Sequence, residues 1–434
     1  MRDVRPSSAS LNTETWRVWL VTDVYPPGCG GSGWSTHALA RVLSDHGHNV
    51  SVIVIDQACN DVTTREYEGV EVTSVGVREA RTVRNRLGSR DFSHDAVATY
   101  LEARLRAEPG VDILHAQHLH SSPPTIEVGR AHGRATLATI RDYWPVCLHG
   151  TDWWNSAHCE GCTTSNLRGC MTENWRWPTP VSHLMVGWAR RRLDARASGL
   201  GAADRVLAVS EAVRQRIEGA LPETDVAVVP NIVDPDAVRA AVSPDQGQGH
   251  GAAPYLLTAG KLQPTKGFNL LLSAIREIDI EMPLIVAGDG PSRVALEAQA
   301  AAMAVNATFL GWVDHSRLLG LQRDAHAVIL PSAWDEPLSR LVLETMGLGT
   351  PVVAWARGGN LEMIESGVSG WLVRDPSDLR RALAELQSEG RRLQVSRGAL
   401  TRVSERYSPA AVYPVVAAAY ADAVKAARRR HRSS

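Results

Sequence analysis

Two glutamates around the start of a predicted helix form the densest group of residues that could do chemistry. Glu336 stands directly before Pro337 in the segment WDEPLSRLVLETMG, and Glu344 follows eight residues after Glu336. Proline is favoured at the first position of a helix because its missing amide hydrogen would have no partner there. We therefore expect a helix to begin at Pro337, with free amides from Ser339 onward that would favour a bound phosphate.

The spacing of the two carboxylates predicts different roles for them. At ~3.6 residues per turn, Glu344 lies a little over two helical turns beyond Glu336 and cannot sit beside the same helix start. A carboxylate near the amides can accept hydrogen bonds from sugar hydroxyls, and one further along can bind the two hydroxyls of a ribose. The alternative is an acidic first turn followed by a solvated glutamate.

Several predicted strand ends in the same half carry residues that suit a phosphate. Lys261 and Lys266 follow the strand YLLTAG, and their ammonium groups could stabilise the negative charge of a departing diphosphate. Alone, two loop lysines are more often surface charge. A GDGP turn at Gly288 and the segment FLGWV, which ends at Val313, close two further strands. Ligands of open α/β sheets bind outside the carboxyl ends of the strands, which favours a binding site here.

Short apolar runs of strand length alternate with helix-length stretches along the whole chain. The first half opens with WRVWLVTDVYPP, GCGGSG and WSTHALARVLSDHG, and the alternation restarts after the polar segment SPDQGQGHGAAP. This alternation predicts parallel α/β sheets. We expect two Rossmann-like domains, at residues 16–235 and 255–408, joined by a linker at 236–254. A disordered start at 1–15 and a final helix at 409–434 complete the prediction.

Length and composition fit two domains without a membrane span. The 434 residues exceed what one hydrophobic core usually supports, and the net charge of −1 gives no basic field to hold nucleic acid. No apolar stretch follows the charges at the start, and no long apolar run occurs, so we expect a cytoplasmic protein. The basic tail KAARRRHR could touch the inner face of a membrane, although solvated termini are commoner.

A segment after the strand RATLATI, within residues 141–190, combines cysteines with tryptophans. Cys147, Cys159, Cys162 and Cys170 could bind zinc or an iron–sulfur cluster, and their spacing does not choose between the two. Buried cysteines or a redox pair are the alternatives. The neighbouring tryptophans could form an aromatic lid for an acceptor or simply pack a core. These tryptophans are Trp144, Trp153, Trp154, Trp175, Trp177 and Trp188.

Taken in order, the motifs of the second half resemble the nucleotide-binding half of glycosyltransferase family 4. The resemblance spans Pro254 to Val373 and rests on Lys261, Lys266, GDGP, FLGWV, the EPxxxxxxE pattern from Glu336 to Glu344, GTPVV and a GGxxE loop. It implies a GT-B fold, in which two Rossmann-like domains face each other across a cleft. It also implies transfer of a hexosyl group from a UDP or GDP sugar to a hydroxyl, with retention at the anomeric carbon and commonly no metal in the chemistry.

The same resemblance implies roles for individual residues. Glu336 would contact the transferred sugar, Glu344 the ribose, and Lys261 and Lys266 the diphosphate. Ser339 stands where the family commonly has glycine, which can bring the backbone closer to a phosphate. The remaining implied donor-binding residues are Gly31, Gly33, Gly288, Val313, Leu338, Ser339, Arg340, Leu341 and Val342.

Other features of the family are matched less closely. The segment HAQHLH resembles its histidine-rich turn and makes His120 a catalytic candidate, although such histidines can also only cap a strand. A subset of the family has a similar four-cysteine insertion, and the final helix usually folds back on the first domain. The acceptor would belong to glycan, glycolipid or secondary-metabolite biosynthesis. A nucleotide-sugar epimerase of the same fold and a non-catalytic sugar-nucleotide binding protein remain alternatives.

Overall fold

Each half of the chain builds its own α/β sheet. The structure is a computed structural model that describes residues 14–58, 60–77, 94–151, 153–154, 157–159, 161–174, 177–242 and 254–433. The strands of the first half are β1 (Arg17–Thr22), β2 (Asn49–Asp56), β3 (Val62–Tyr67), β4 (Val70–Gly76), β5 (Ile113–Ala116), β6 (Ala135–Ile140), β7 (Trp153–Trp154), β8 (Ala157–His158), β9 (Arg205–Ala208) and β10 (Val226–Val228). Those of the second half are β11 (Leu256–Ala259), β12 (Leu284–Ala287), β13 (Ala307–Gly311), β14 (Ala327–Leu330), β15 (Val352–Trp355) and β16 (Trp371–Val373).

Helices cover both sheets, as expected for parallel strands joined by crossover connections. In the first half they are α1 (Gly31–Asp45), α2 (His94–Ala107), α3 (Ser122–Ala131), α4 (Thr164–Asn174), α5 (Thr179–Gly201), α6 (Glu211–Ala220) and α7 (Pro235–Ala240). In the second half they are α8 (Phe268–Ile278), α9 (Arg293–Ala302), α10 (His315–Asp324), α11 (Arg340–Leu348), α12 (Asn360–Met363), α13 (Pro376–Glu385), α14 (Glu389–Arg406) and α15 (Pro409–Ser433). No helix in the described part of the chain is both long and apolar enough to cross a membrane.

The strand order creates one switch point in each sheet. The first sheet runs β10-β9-β6-β5-β1-β2-β4-β3, with only the β3–β4 pair antiparallel, and the second runs β13-β12-β11-β14-β15-β16, with every pair parallel. After β1 the chain adds β2 on one side of this strand and later β5 on the other side. In the second sheet it adds β12 on one side of β11 and later β14 on the other. A crevice opens at the carboxyl ends of the strands at such points, and ligands bind there.

The final helix returns to the first sheet. The apolar residues Val416 and Tyr420 of α15 share a buried core with Leu20 and Leu137. The hydroxyl of Tyr420 lies 2.9 Å from Nδ1 of His115, so the helix is anchored by a buried polar contact as well as by apolar area.

The basic tail of the same helix is partly engaged with the first domain. Nη2 of Arg430 donates to the carbonyl of Arg134 at 2.9 Å, and Nη1 donates to the Asp204 carboxylate. At least this arginine therefore has protein partners rather than being directed at a surface outside the molecule.

One segment boundary differs from the sequence prediction. The linker expected at 236–254 begins inside α7, which starts at Pro235 and is capped by the Asp234 side chain. Residues 243–253, as well as 1–13 of the predicted disordered start, lie outside the described residues.

Helix α11 begins at Arg340, not at Pro337 as we expected, because residues 336–338 are held in a loop. The carbonyl of Glu336 accepts a hydrogen bond from the amide of Gly359 at 2.6 Å, and the carbonyl of Leu338 accepts one from Asn231 at 3.2 Å. Ser339 then caps the helix.

Candidate functional site

A cleft of about 600 Å³ has walls from both domains. The start of α1 forms one side, and the start of α11 with the preceding loop forms the other. The two helix starts approach closely, because a Cβ atom placed on Gly31 would lie 3.1 Å from Cβ of Arg340. The cleft thus lies where the switch points of the two sheets predict a ligand.

Most of the residues predicted for the donor site line this cleft. Those that do are Gly31, Lys261, Lys266, Gly288, Val313, Glu336, Leu338, Ser339, Arg340, Leu341 and Glu344.

Three predicted residues do not line the cleft. Gly33 is buried within α1, where a Cβ atom would lie 2.4 Å from Sγ of Cys29. Val342 is fully buried in the core, and its amide is capped by Ser339. The backbone amide of His120 donates to Asp23 at 3.0 Å. These three residues are therefore not part of the cleft lining.

Glu336 is a buried carboxylate with an extensive set of donors. Nζ of Lys266 lies 2.7 Å from its Oε1 and 2.9 Å from its Oε2, and Oε2 also accepts from Ser332 Oγ and Trp334 Nε1, each at 2.7 Å. Burial opposes ionisation, but the charge of Lys266 and these hydrogen bonds outweigh it and lower the pKa of Glu336. A carboxylate has about four acceptor sites, so Oε1 keeps capacity for a ligand hydroxyl.

Glu344 is the second buried carboxylate of the same wall. Its Oε1 accepts from Nε of Arg340 at 2.7 Å and lies 2.9 Å from Nε2 of His315. Burial raises its pKa, but the Arg340 charge and the His315 hydrogen bond lower it by more. Glu344 is thus held as an oriented anion, with Oε2 available to accept bonds from a ligand.

The start of α11 lies between the two carboxylates. Ser339 Oγ accepts from the amide of Val342 at 3.4 Å, as an N-cap does. Within the described chain the amides of Arg340 and Leu341 have no acceptor. Free amides at the positive end of a helix dipole form a binding site for an anion.

The strand ends opposite α11 combine a close approach of two backbone segments with the positive charge of Lys261. Gly288 has φ +139°, and a Cβ atom there would lie 1.9 Å from the carbonyl oxygen of Gly260, so only glycine fits. Lys261 follows Gly260, is exposed and lines the cleft. Of the 46 Lys and Arg residues only three are lysines, namely Lys261, Lys266 and Lys425. Two of these three line the cleft.

A stacked aromatic pair links the first domain to the second. The indole of Trp34 on α1 stacks on the imidazole of His315 at the start of α10, with ring centroids 3.9 Å apart. Because His315 also contacts Glu344, the first domain touches a residue that orients this carboxylate. Neither Trp34 nor His315 was predicted from the sequence.

Among the polar residues of the first-domain wall that we did not predict, three follow strands. Arg141 and Asp142 directly follow β6, and Asn231 follows β10. Enclosure by protein raises the pKa of the Asp142 carboxyl to about 6, although the amide of Trp144 donates to it at 2.8 Å. The strand-end rule that we applied to the second half would have found Arg141 and Asp142 in the first.

The four cysteines receive no support as a metal site. In the described part of the chain, no three His, Cys, Asp or Glu residues form a group that could hold a metal ion. Sγ of Cys159 lies 3.6 Å from the carbonyl of Gly161, and Sγ of Cys162 lies 3.6 Å from that of Val146. The metal site predicted at Cys147, Cys159, Cys162 and Cys170 is therefore not supported by the described part of the chain.

The three described tryptophan side chains of this segment pack into cores of the protein. Trp188 is buried in a small core with Leu148, Leu167 and Met171, and Trp177 packs against it with ring centroids 5.9 Å apart. Trp144 is buried in a larger core. For these three tryptophans the core-packing alternative is correct. The side chains of Trp153, Trp154 and Trp175 lie outside the described part of the structure.

Comparison with known proteins gives each half of the chain a family match. Residues 29–237 match the model of Glycosyltransferase Family 4, and residues 245–398 match that of Glycosyl transferases group 1. The D-inositol 3-phosphate glycosyltransferase of Geodermatophilus obscurus is 30% identical over 363 residues, which cover 71% of this chain and 78% of the relative. The glycogen synthase of Mycobacterium tuberculosis is 26% identical over 442 residues, covering 96% of each.

Other matches are shorter or rest on the fold. The alignments with four further curated relatives span 35–58% of those relatives' own length. Among solved structures, the Anabaena protein HepE in complex with UDP and glucose superposes with a TM-score of 0.67 at 16% identity, covering 94% of this chain and 99% of HepE. At that identity the likeness concerns the fold.

Proposed function

The chain has the GT-B fold and belongs to glycosyltransferase family 4, and from that premise we propose that it transfers a sugar from a nucleotide diphosphate sugar to an acceptor hydroxyl with retention. One observation carries the proposal: two buried, ionised glutamates, Glu336 and Glu344, flank the free amides of a helix start on one wall of the cleft. A carboxylate can bind sugar hydroxyls, a second carboxylate can bind a ribose, and the free amides can bind a diphosphate.

The donor is assigned along this wall from its nucleotide to its sugar. Glu344 accepts hydrogen bonds from the ribose hydroxyls, and the amides of Arg340 and Leu341 bind the diphosphate with help from Lys261. Glu336 accepts from the hydroxyls of the transferred sugar. Lys266 holds Glu336 at 2.7 Å and lies at the cleft, so it can bridge this carboxylate and the diphosphate. HepE was solved with UDP and glucose, which makes UDP the first nucleotide to test.

The arrangement favours direct displacement on one face of the sugar. The acceptor oxygen forms a bond to the anomeric carbon while the bond to the diphosphate oxygen breaks, and the acceptor proton passes to the departing phosphate. Glu336 is a poor nucleophile because Lys266, Ser332 and Trp334 all donate to it. Positioning and stabilisation of the departing negative charge then supply the catalysis.

Acceptor-dependent release of UDP tests the proposal. The protein is incubated with UDP and GDP sugars, with and without pooled acceptors from glycan, glycolipid and secondary-metabolite classes, and free nucleotide diphosphate is measured. We expect release that depends on both partners and is lost in Glu336→Gln, and NMR of the product should show the anomeric configuration of the donor.

Other outcomes assign the alternatives. Conversion of the donor sugar without an acceptor would identify an epimerase. Nucleotide binding without any turnover across the panel would identify a non-catalytic binding protein. An inverted product anomer would contradict retention.

A further inference from the structure

Arg141 is a cation in the cleft that meets no carboxylate of the described residues. It is half-buried and lines the cleft directly after β6. Nη2 donates to Gln117 Oε1 at 2.6 Å, and Nη1 donates to Asn231 Oδ1. Both acceptors are neutral amides. Nε of Arg141 is buried and has no hydrogen-bond acceptor in the described part of the chain.

Two other enclosed arginines of the described chain pair with glutamates. Arg104 pairs with Glu71, and Arg340 pairs with Glu344. Arg196 donates to three backbone carbonyls, and its pKa responds to the charge of Asp142. Arg141 has no such pair in the described chain, and its neighbour Asp142 accepts from the amide of Trp144.

The neighbouring charge of Arg340 adds to the uncompensated positive charge of Arg141. Enclosure lowers the pKa of Arg141 to about 9, and the positive charge of Arg340 adds to this effect. Lys266 and Arg340 each pair with a glutamate, whereas Arg141 and Lys261 pair with none among the residues that the structure describes. A cation removed from water without a counterion is costly, and a bound anion offsets that cost.

Arg141 stands on the wall of the cleft opposite the proposed diphosphate site. It belongs to the first domain, whereas the free amides of α11 and Lys261 belong to the second. Asn231 links it to the carbonyl of Leu338, two residues from Glu336. Arg141 therefore lies beside the part of the cleft where the proposed function places the two sugars.

We propose that Arg141 binds an anionic group, a carboxylate or a phosphate, carried by one of the two sugars that meet in the cleft. This inference rests on the proposed function and assigns it a substrate class. Two-point binding of a carboxylate or phosphate suits a guanidinium whose plane is already fixed by Gln117 and Asn231. The charged group belongs either to the donor sugar, as in a uronic acid, or to the acceptor.

Paired probes separate the two sources. In the donor arm, binding of UDP-glucuronate is compared with binding of UDP-glucose by calorimetry. In the acceptor arm, glucose 6-phosphate is compared with glucose on protein saturated with UDP. Each comparison is repeated with Arg141→Gln and Arg141→Lys, and thermal melting checks that both variants fold.

We expect the wild type to prefer the anionic member of one pair by about tenfold or more, because an unpaired charged group discriminates strongly. Arg141→Gln should remove most of this preference, Arg141→Lys should retain part of it, and UDP alone should bind all three proteins equally. If Arg141→Gln does not fold, Arg141→Lys alone tests the inference. Lysine lacks the forked geometry of arginine, so the preference for the anionic probe should still fall.

Several results would overturn the inference. One is that the wild type shows no preference for the anionic probe in either pair. Another is that the preference persists in Arg141→Gln. Loss of UDP affinity in Arg141→Gln without a change in preference would instead make Arg141 a diphosphate ligand. Failure of the wild type to bind either UDP or GDP would reject the proposed function, and with it this inference. This outcome is distinguishable because it is measured before any variant.

Discussion

The indole of Trp34 lies flat against the imidazole of His315, with ring centroids 3.9 Å apart and planes inclined by 26°. Trp34 belongs to the first domain and His315 to the second, and Nε2 of His315 lies 2.9 Å from Glu344. One side-chain contact therefore joins the approach of the two domains to the orientation of a carboxylate in the proposed donor site.

We expect Trp34→Ala to weaken UDP binding about two- to twelvefold, since an aromatic stack contributes roughly 0.5–1.5 kcal/mol beyond its area. The domains should also separate more readily, which small-angle scattering would record as a larger radius of gyration. Trp34→Phe is the matched control, because it keeps an aromatic face for His315. Equal binding and scattering in the Ala variant and the wild type would show that the stack has no role in closure.

Chemical labelling can locate the diphosphate without a known acceptor. Pyridoxal phosphate with borohydride reduction modifies lysines, and peptide mass spectrometry can follow all three lysines of this chain. UDP should slow the labelling of Lys261 and Lys266, because it would occupy the cleft that they line. Lys425 on α15 is the internal control, with 64% of its side chain exposed. Slowing at Lys425 alone, or at none of the three, would place UDP elsewhere.

The buried Glu336 carboxylate should support stability in a pH-dependent way. Its pKa is lowered in the fold from the value of 4.5, so its contribution is complete above pH 4.5 and is lost as the pH falls through the lower folded value. At pH 7 we expect Glu336→Gln to lower the free energy of unfolding by about 1.5–3 kcal/mol, as for hydrogen bonds to a charged group.

The measurement is urea unfolding of this variant and the wild type across pH. The difference in stability should shrink below pH 4.5. Glu405→Gln, which changes an exposed glutamate, is the control and should match the wild type throughout. A difference for Glu336→Gln that does not vary with pH would mean that its ion pair with Lys266 is not its source.

Ser339 should matter for the helix more than for the donor. Its hydroxyl caps α11, and replacing such a cap costs about 1 kcal/mol for alanine but only a few tenths for glycine. We expect Ser339→Gly to melt close to the wild type and to bind UDP as well or better, because glycine lets the phosphate approach the backbone. Ser339→Ala should melt lower. A large loss of UDP affinity in Ser339→Gly would mean that the phosphate lies away from this helix start.

The sheets were predictable because their strands are short apolar runs, and in parallel sheets such runs are buried on both faces. The strand YLLTAG became β11, with Leu256 and Leu257 fully buried. The EPxxxxxxE motif likewise located both carboxylates, since order and spacing along the chain are properties of the sequence.

Partners from distant segments were not predictable. Helix α11 starts three residues later than expected because Gly359 and Asn231 hold the preceding loop, and neither contact is visible in the local preference of Pro337. Arg141 follows a strand end, which is a local signal, but its partners Gln117 and Asn231 lie 24 and 90 residues away.

The role of Glu344 gives the most direct test of the donor site. Binding of UDP and of 2′,3′-dideoxy-UDP is measured by calorimetry for the wild type and for Glu344→Gln. If Glu344 accepts the ribose hydroxyls, the variant should lose about tenfold in affinity for UDP, the equivalent of about one hydrogen bond to a charged group, and should bind the dideoxy nucleotide unchanged. Equal losses for both nucleotides, or no loss for either, would contradict the placement of the donor along this wall.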